Sequence, residues 1–393
     1  MHYIHSHRIL IMLKVLLAGA SVGALTLPLT SFAQSSVTLY GVIDEGFNYT
    51  SNVGGHSNET LASGFAQGSR WGLRGTEDLG GGMKAVFHLE NGFDVNNGRL
   101  GQSGRMFGRQ AYVGLSSASI GTLTLGRQYD SVVDFLAPLT ANGNWAGYLL
   151  AHPLDNDNTD NSFRLNNAVK YTSNNYGGLT FGGLYGFSNQ AGGFSNNRSY
   201  SVGAQYVAGP LAAAASYMQI NRPGSTASGS LATDDTAFFA GRERIWGAGI
   251  NYTFLEAATI GFVYTHTDLN NATGSVYVGN FANPATSLKF DNFEINAKYQ
   301  FTRALFAGAM YNYTLGHFNS NVGDSKPKWH QLGLMADYQL SPRTDLYVQG
   351  LYQHVSGGDA TAAPLNTAYI TGADGSSSTR NQFLGRVAMR HLF

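Results

Sequence analysis

Residues 292–301 read NFEINAKYQF. Phe293, Ile295, Ala297, Tyr299 and Phe301 fall on one parity, and Glu294, Asn296, Lys298 and Gln300 on the other. Successive side chains of a strand point to opposite faces, so a period of two predicts a β-strand with one apolar and one polar face. A soluble sheet can carry such a strand, with its polar face in water. A barrel wall can too, with its apolar face in lipid and its polar face lining a wet channel. How often the pattern recurs, and what joins the copies, decides between them.

The pattern recurs almost without interruption. It is present in SVTLYGVIDEGF (36–47), GMKAVFHLE (82–90), RIWGAGINYTF (244–254) and HQLGLMADYQL (330–340). In GRVAMRHLF (385–393), Val387, Met389, His391 and Phe393 oppose Arg386, Ala388, Arg390 and Leu392. About sixteen such segments begin near Val37, Arg70, Met83, Phe107, Gly121, Leu165, Leu179, Tyr200, Leu211, Ile245, Ala258, Phe290, Ala304, His330, Asp345 and Gln382. An even number suits an outer-membrane barrel, which closes so that no backbone edge meets lipid.

The connections alternate in length. TEDLGGG, SSASIG, SNNYGG, VAGP, LEA, FTR and SPR are short. VNNGRLGQSG, SNQAGGFSNN, NRPGSTASGSLATDD, NNATGSVYVGNFANPATS, NSNVGDSKP and SGGDATAAPLNTAYITGADGSSST are long and polar. Up-and-down barrels with short periplasmic turns and long outer loops show this alternation. Tyr171, Phe187, Tyr206, Phe254, Phe301, Tyr313, Tyr338 and Phe393 lie near segment ends, where interfacial aromatics are expected. Glu294, Lys298, Asp337, Arg386 and Arg390 share the polar parity and are expected to line a lumen wide enough to hold water. The reading is an all-β, transmembrane, antiparallel up-and-down barrel of sixteen strands.

Composition agrees. The 393 residues carry 24 basic and 24 acidic side chains, so net charge suggests no nucleic-acid partner. Charged residues make up only 12%, about half the usual share of soluble domains. There is no cysteine, which excludes disulfides and thiolate metal or redox sites. No cofactor is expected. Arg8 and Lys14 precede an apolar run ending at Ser31-Phe32-Ala33, which predicts a secretory signal peptide over 1–33 and a single barrel domain over 34–393. Met12 offers a second start site.

One insert differs from the other loops. After TLTLGRQYD comes SVVDFLAPLTANGNWAGYLLAHPLDNDNTDNSF (131–163), long and unusually apolar. Val132, Val133, Phe135, Leu136, Trp145, Tyr148 and Leu149 require burial, and loops of this size usually serve function.

RWGLRGTEDLGGGMKAVFHLE (70–90), RMFGRQAYVGL (105–115), GTLTLGRQYD (121–130), RLNNAVKYTSNNYGGLTFGGLYGF (164–187) and the closing Phe393 together resemble the general diffusion porins of Gram-negative outer membranes, in their β-proteobacterial branch. The resemblance spans the chain after the signal. It implies a homotrimer passing small hydrophilic solutes and ions, in contact with outer-membrane lipid and lipopolysaccharide. It implies a third loop, about 130–163, folded into the lumen as a constriction. It also implies that Phe393 is the signal read by the barrel-insertion machinery. By matching motifs it places Arg70, Arg109 and Arg164 on the basic wall of that constriction, joined by Arg74 on the parity of Arg70. Asp130, Asp134, Asp155, Asp157 and Asp160 are the acids available on the loop. Arg127 follows the outward parity of Leu123 and Leu125, which puts it on the lipid side unless the strand ends first. Opposed charges across a low-dielectric throat sort ions by sign. The bland reading of the arginines is structural ion pairing on the inner wall.

DNDNTD (155–160) lacks the Gly and closing Glu of a calcium loop, so no metal is assigned. Two other functions compete with the diffusion channel. A solute-specific channel for a sugar or organic anion would use the aromatic insert. A barrel hydrolase would need a nucleophile and base, and no His stands in such an arrangement, His88 being the one with inward parity on a strand.

Overall fold

The computed structural model describes residues 36–393, so the expected signal peptide and the Met12 start lie outside the described residues. Nineteen strands follow in order: β1 (Ser36–Val53), β2 (His56–Ser63), β3 (Arg70–Gly80), β4 (Met83–Gly92), β5 (Gln110–Ser117), β6 (Gly121–Gln128), β7 (Leu165–Thr172), β8 (Leu179–Gly186), β9 (Ser199–Ala208), β10 (Leu211–Asn221), β11 (Phe238–Phe239), β12 (Arg242–Phe254), β13 (Ala258–Ser275), β14 (Gly279–Gln300), β15 (Leu305–Ser320), β16 (Gly323–Ser325), β17 (Lys328–Ser341), β18 (Thr344–Ser356) and β19 (Asn381–Leu392). Three are accessory. β2 folds back on the upper part of β1, β11 adds two residues beside β13, and β16 adds three beside β15. The other sixteen pair antiparallel with their chain neighbours, and β19 returns to β1 from Val42 opposite Leu392 to Thr50 opposite Leu384. Closure leaves no free edge, the condition for a sheet to cross a bilayer.

The parity seen in 292–301 runs round the wall. Phe293, Ile295, Tyr299, Leu332, Leu334, Val387 and Met389 are exposed on the outside. Their neighbours Glu294, Asn296, Gln331, Met335 and Arg386 are buried inside. In water such an exterior would be an aggregation hazard; in hydrocarbon it is the stable face.

The strand starts follow the alternation closely, with one large exception. β14 begins at Gly279 rather than near Phe290, because NNATGSVYVGNFANPATS is mostly a continuation of β13 and β14 beyond the barrel, not an open loop. Its Asn and Gly content suggests a loop, but cross-strand pairing outweighs that local preference.

A second correction concerns the inner polar row. Glu294, Asp337 and Arg386 do not line open water: all three are buried. The cover over Glu294 is the segment 130–163, whose short helical turns pack on the inward-facing row of the far wall. Val132, Phe135, Leu136 and Leu139 join an apolar cluster with Met218, Ile245 and Val263; Trp145, Leu149 and Leu150 join another with Met310, Met335 and Leu351. Glycines on that wall provide the seats. A Cβ at Gly203 would stand 2.6 Å from Phe135, at Gly308 2.7 Å from Trp145, and at Gly333 2.6 Å from Leu150. These wall glycines thus make room for loop side chains to approach the backbone closely.

Candidate functional site

The inner wall opposite those seats carries the arginines. Arg70 opens β3, and Arg109 and Arg164 stand just before β5 and β7. Glu90, near the end of β4, lies between the first two. Its carboxylate accepts from Arg109 Nε at 2.8 Å and pairs with Arg70 Nε at 3.4 Å. Tyr40 donates to Glu90 at 2.7 Å, and Arg109 also donates to the Tyr129 hydroxyl at 3.1 Å. Both guanidiniums approach Gly68: Arg70 donates to its carbonyl, and Arg109 Nη1 would stand 2.9 Å from a Cβ there.

Arg164 has no ion-pair partner among the described residues. It lies over the Tyr129 ring at 5.7 Å and donates weakly to the Ser162 carbonyl at 3.5 Å. Burial and the neighbouring Arg109 lower its pKa to about 10, so it stays cationic at neutral pH. Arg70, Arg109, Arg164, Asp160 and Tyr277 line one cavity. A second cavity, on the side of the short turns, is lined by Lys298, Arg303 and Arg390. Ala66, Gln67, Asn142 and Gly147 border both, so the two meet at that waist.

Arg74 is not brought into the cavity: it lies over the Tyr40 ring at 5.2 Å. Arg127 faces inward and not toward lipid. The register slips between Gly126 and Gln128, with Gly126 at φ +137°, a conformation suited to glycine. The slip turns Arg127 into a buried pair with Asp235 at 2.6 Å, and its Nε donates to the Gly108 carbonyl.

The loop acids divide. Asp160 is half-buried on the cavity. Asp134 pairs with Lys170 of β7. Asp130, Asp155 and Asp157 are buried and hold the loop together. Asp130 accepts from Val132 N at 2.7 Å and from Asn158 at 2.8 Å, and burial pushes its pKa up to about 6. Asp155 accepts from the backbone of Asp160 and Ser162. Asp157 binds His152 Nδ1 at 2.6 Å, and His152 Nε2 reaches Glu294 of β14 at 3.0 Å. Among the described residues no group of three or more His, Asp or Glu is placed to hold a metal ion.

His152 and Glu90 do not stand out in the sequence. Glu90 shares strand parity with His88 and could have been paired with Arg70 from the short hairpin between them. His152 carries no signal, because its partner Glu294 is far away in the chain.

The His152 bridge ties loop to wall. Burial alone would disfavour the imidazolium, but Asp157 and Glu294 outweigh it and raise the pKa to about 10. A folded-state pKa above the ordinary 6.5 stabilises fully below about pH 6.5, and that stabilisation is lost as pH rises through about 10. Open-channel current noise should therefore rise between about pH 8 and 11. His152→Gln should show that noise already at neutral pH, since breaking a buried charged pair costs about 3–5 kcal/mol. Quiet traces from the variant at neutral pH would show that other contacts hold the loop.

A family model described as Gram-negative porin matches residues 18–358. The chain is 34% identical over 356 residues to an outer membrane porin protein of Bordetella pertussis, covering 81% of this chain and 89% of that one. It is 31% identical over 379 residues to outer membrane porin protein 32 of Delftia acidovorans, covering 92% and 95%. The anion-selective porin from Comamonas acidovorans superposes with a TM-score of 0.69 at 25% identity, covering 92% of this chain and 100% of that structure. A closed antiparallel barrel with an apolar exterior and a charged interior cavity is the architecture of an outer-membrane channel. The chain belongs to the Gram-negative porin family, and it forms a water-filled outer-membrane channel for the passive diffusion of small hydrophilic solutes and ions.

Proposed function

We propose that this channel is a homotrimeric, non-catalytic pore with a mild preference for anions, narrowed between the segment 130–163 and the wall that bears Arg70, Arg109 and Arg164. The convergence of three guanidiniums on one cavity carries the reading. Asp160 opposes them there, Glu90 pairs with Arg70 and Arg109 from behind, and Arg164 remains without an ion-pair partner among the described residues. The second cavity continues the same sign with Lys298 and Arg303, while Arg390 there is paired with Asp337 and Asp345. Fixed charge of one sign along a low-dielectric passage concentrates counter-ions. The Comamonas acidovorans porin is itself described as anion-selective, which agrees in direction. Catalysis is not supported: both ring nitrogens of His152 are held by carboxylates, so neither is free to take a proton from a nucleophile. The outward, half-exposed ring of Phe393, whose backbone pairs with Gly41, supports its role as the recognition end for barrel insertion. Lipopolysaccharide is the expected lipid neighbour.

The test is a planar bilayer with the refolded chain in a salt gradient. Stepwise conductance closing in three sublevels, with a reversal potential of anion sign, is the expected result. A reversal potential of cation sign overturns the anion preference, and single-level closures overturn the trimer.

A further inference from the structure

The outside of the barrel is not uniform. On β4 to β8 the outward row carries no charged side chain; Phe87, Leu89, Val113, Leu125, Val169 and Phe181 are typical of it. On β12 to β18 the outward row changes near the long-loop end, where basic side chains fall at adjoining register positions. Arg244 is opposite Asp268, Asp268 opposite Lys289, and Lys289 opposite His317. Two steps lower on that outward row, Tyr313 is opposite His330, and His330 opposite His354. Lys328 follows on the same outward row as His330.

The acids of this belt are already matched. Asp268 pairs with Arg244, and Asp291 pairs with His266 at 2.7 Å while accepting from Tyr264. Lys289 and Lys328 have no ion-pair partner among the described residues. Aromatic rings floor the belt: Tyr313 lies 4.8 Å from His330, Trp246 lies 5.4 Å from His266, and the Tyr311 hydroxyl meets His330 Nδ1 at 2.7 Å. Below it the wall is continuous apolar surface, including Phe262, Ile295, Leu332 and Val348.

From this geometry we propose that the outward belt on β12–β18 is a binding surface for the phosphate groups of an outer-leaflet lipid, whose acyl chains lie along the apolar wall beneath. Charge complementarity selects the occupant. Two lysines without an ion-pair partner among the described residues sit at the long-loop end of the outward row, directly above apolar outward side chains, and the outward row of β4–β8 carries no charge. Interfacial Lys side chains keep the stem on apolar surface and the ammonium in the headgroup layer. The proposal rests on lipopolysaccharide being the lipid partner.

The probe is synthetic bisphosphorylated lipid A, with its dephosphorylated form as control, titrated onto the intact detergent-extracted protein and read by native mass spectrometry. The wild-type chain should prefer the bisphosphorylated form. The double variant Lys289→Gln, Lys328→Gln should bind it at least tenfold more weakly, on the order of fivefold per lysine, with the control lipid unaffected. His330→Gln, a milder change at the middle of the belt, should show a smaller loss in the same direction and serves if the double variant fails to fold. Equal binding by variants and wild type overturns the belt while leaving the lipid partner intact. No binding by the wild type removes both. Loss of the oligomer with lipid binding unchanged would give the surface to a second copy of the chain and overturn the proposal.

Discussion

Removing Arg109 and Arg164 together, as alanines, should reverse the ion preference of the channel. Arg70, Arg109, Arg164 and Asp160 line the cavity, and the buried Glu90 pairs with the first two from behind, so three positive groups stand against two negative. The double variant leaves one against two. A unit charge about 4 Å from a passing ion is worth about 1 kcal/mol even at the dielectric constant of water, on the order of fivefold in relative permeability. Two such charges should therefore move the permeability ratio more than tenfold toward cations. Arg164→Ala alone should give about half the free-energy change and leave folding intact, because Arg164 makes no ion pair among the described residues. Glu90→Gln should move the ratio the other way, as it frees Arg70 and Arg109. Zero-current potentials in a tenfold salt gradient decide it. If both arginine variants keep the wild-type potential, the arginines are structural and the bland reading of them is right.

Arg386→Ala should be the most destabilising single change in the wall. This guanidinium is buried where β19 closes on β1. It pairs with Asp44 at 2.9 Å and donates to the Tyr347 hydroxyl, Asn48 and the carbonyls of Gly46 and Ala62, with the Phe65 ring 4.6 Å away. Alanine leaves Asp44 buried without its cation. Such a loss costs about 3–5 kcal/mol, whereas replacing both partners by a matched apolar pair is often neutral. Urea unfolding followed by the gel shift of the folded barrel should show a lower midpoint for Arg386→Ala. Combining it with Asp44→Asn should recover part of the loss, because coupled partners are not additive. An unchanged midpoint would show that the seam is held by the backbone ladder alone.

What could be read from the sequence followed from local rules. The sixteen staves were legible because parity and turn chemistry act over a few residues, and fifteen of the starts lie within three residues of those observed. Gly279 was missed because a hairpin extended past the membrane no longer needs one apolar face. Arg127 was misplaced because one bulge at Gly126 reverses every side chain after it. The arginines could be named from motifs, but their partners could not: Glu90 stands across a hairpin, and Glu294 reaches His152 from the far wall. The buried state of Asp337 and Arg386 was illegible for the same reason. Parity tells which side of the wall a residue faces, not what will come to cover it.

The glycine seats also set an order of events in time. Phe135, Trp145 and Leu150 dock on Gly203, Gly308 and Gly333, which stand on strands much further along the chain. Contacts between such distant segments form slowly, since long stretches must be brought together before anything is gained. Until the later staves are in place, the apolar insert has nowhere to dock. The nascent barrel should thus pass through a wide, unobstructed stage, and the narrowing of the passage should be its last step of maturation. In a chain whose other tryptophans are replaced by phenylalanine, the fluorescence of Trp145 would time that step against completion of the wall.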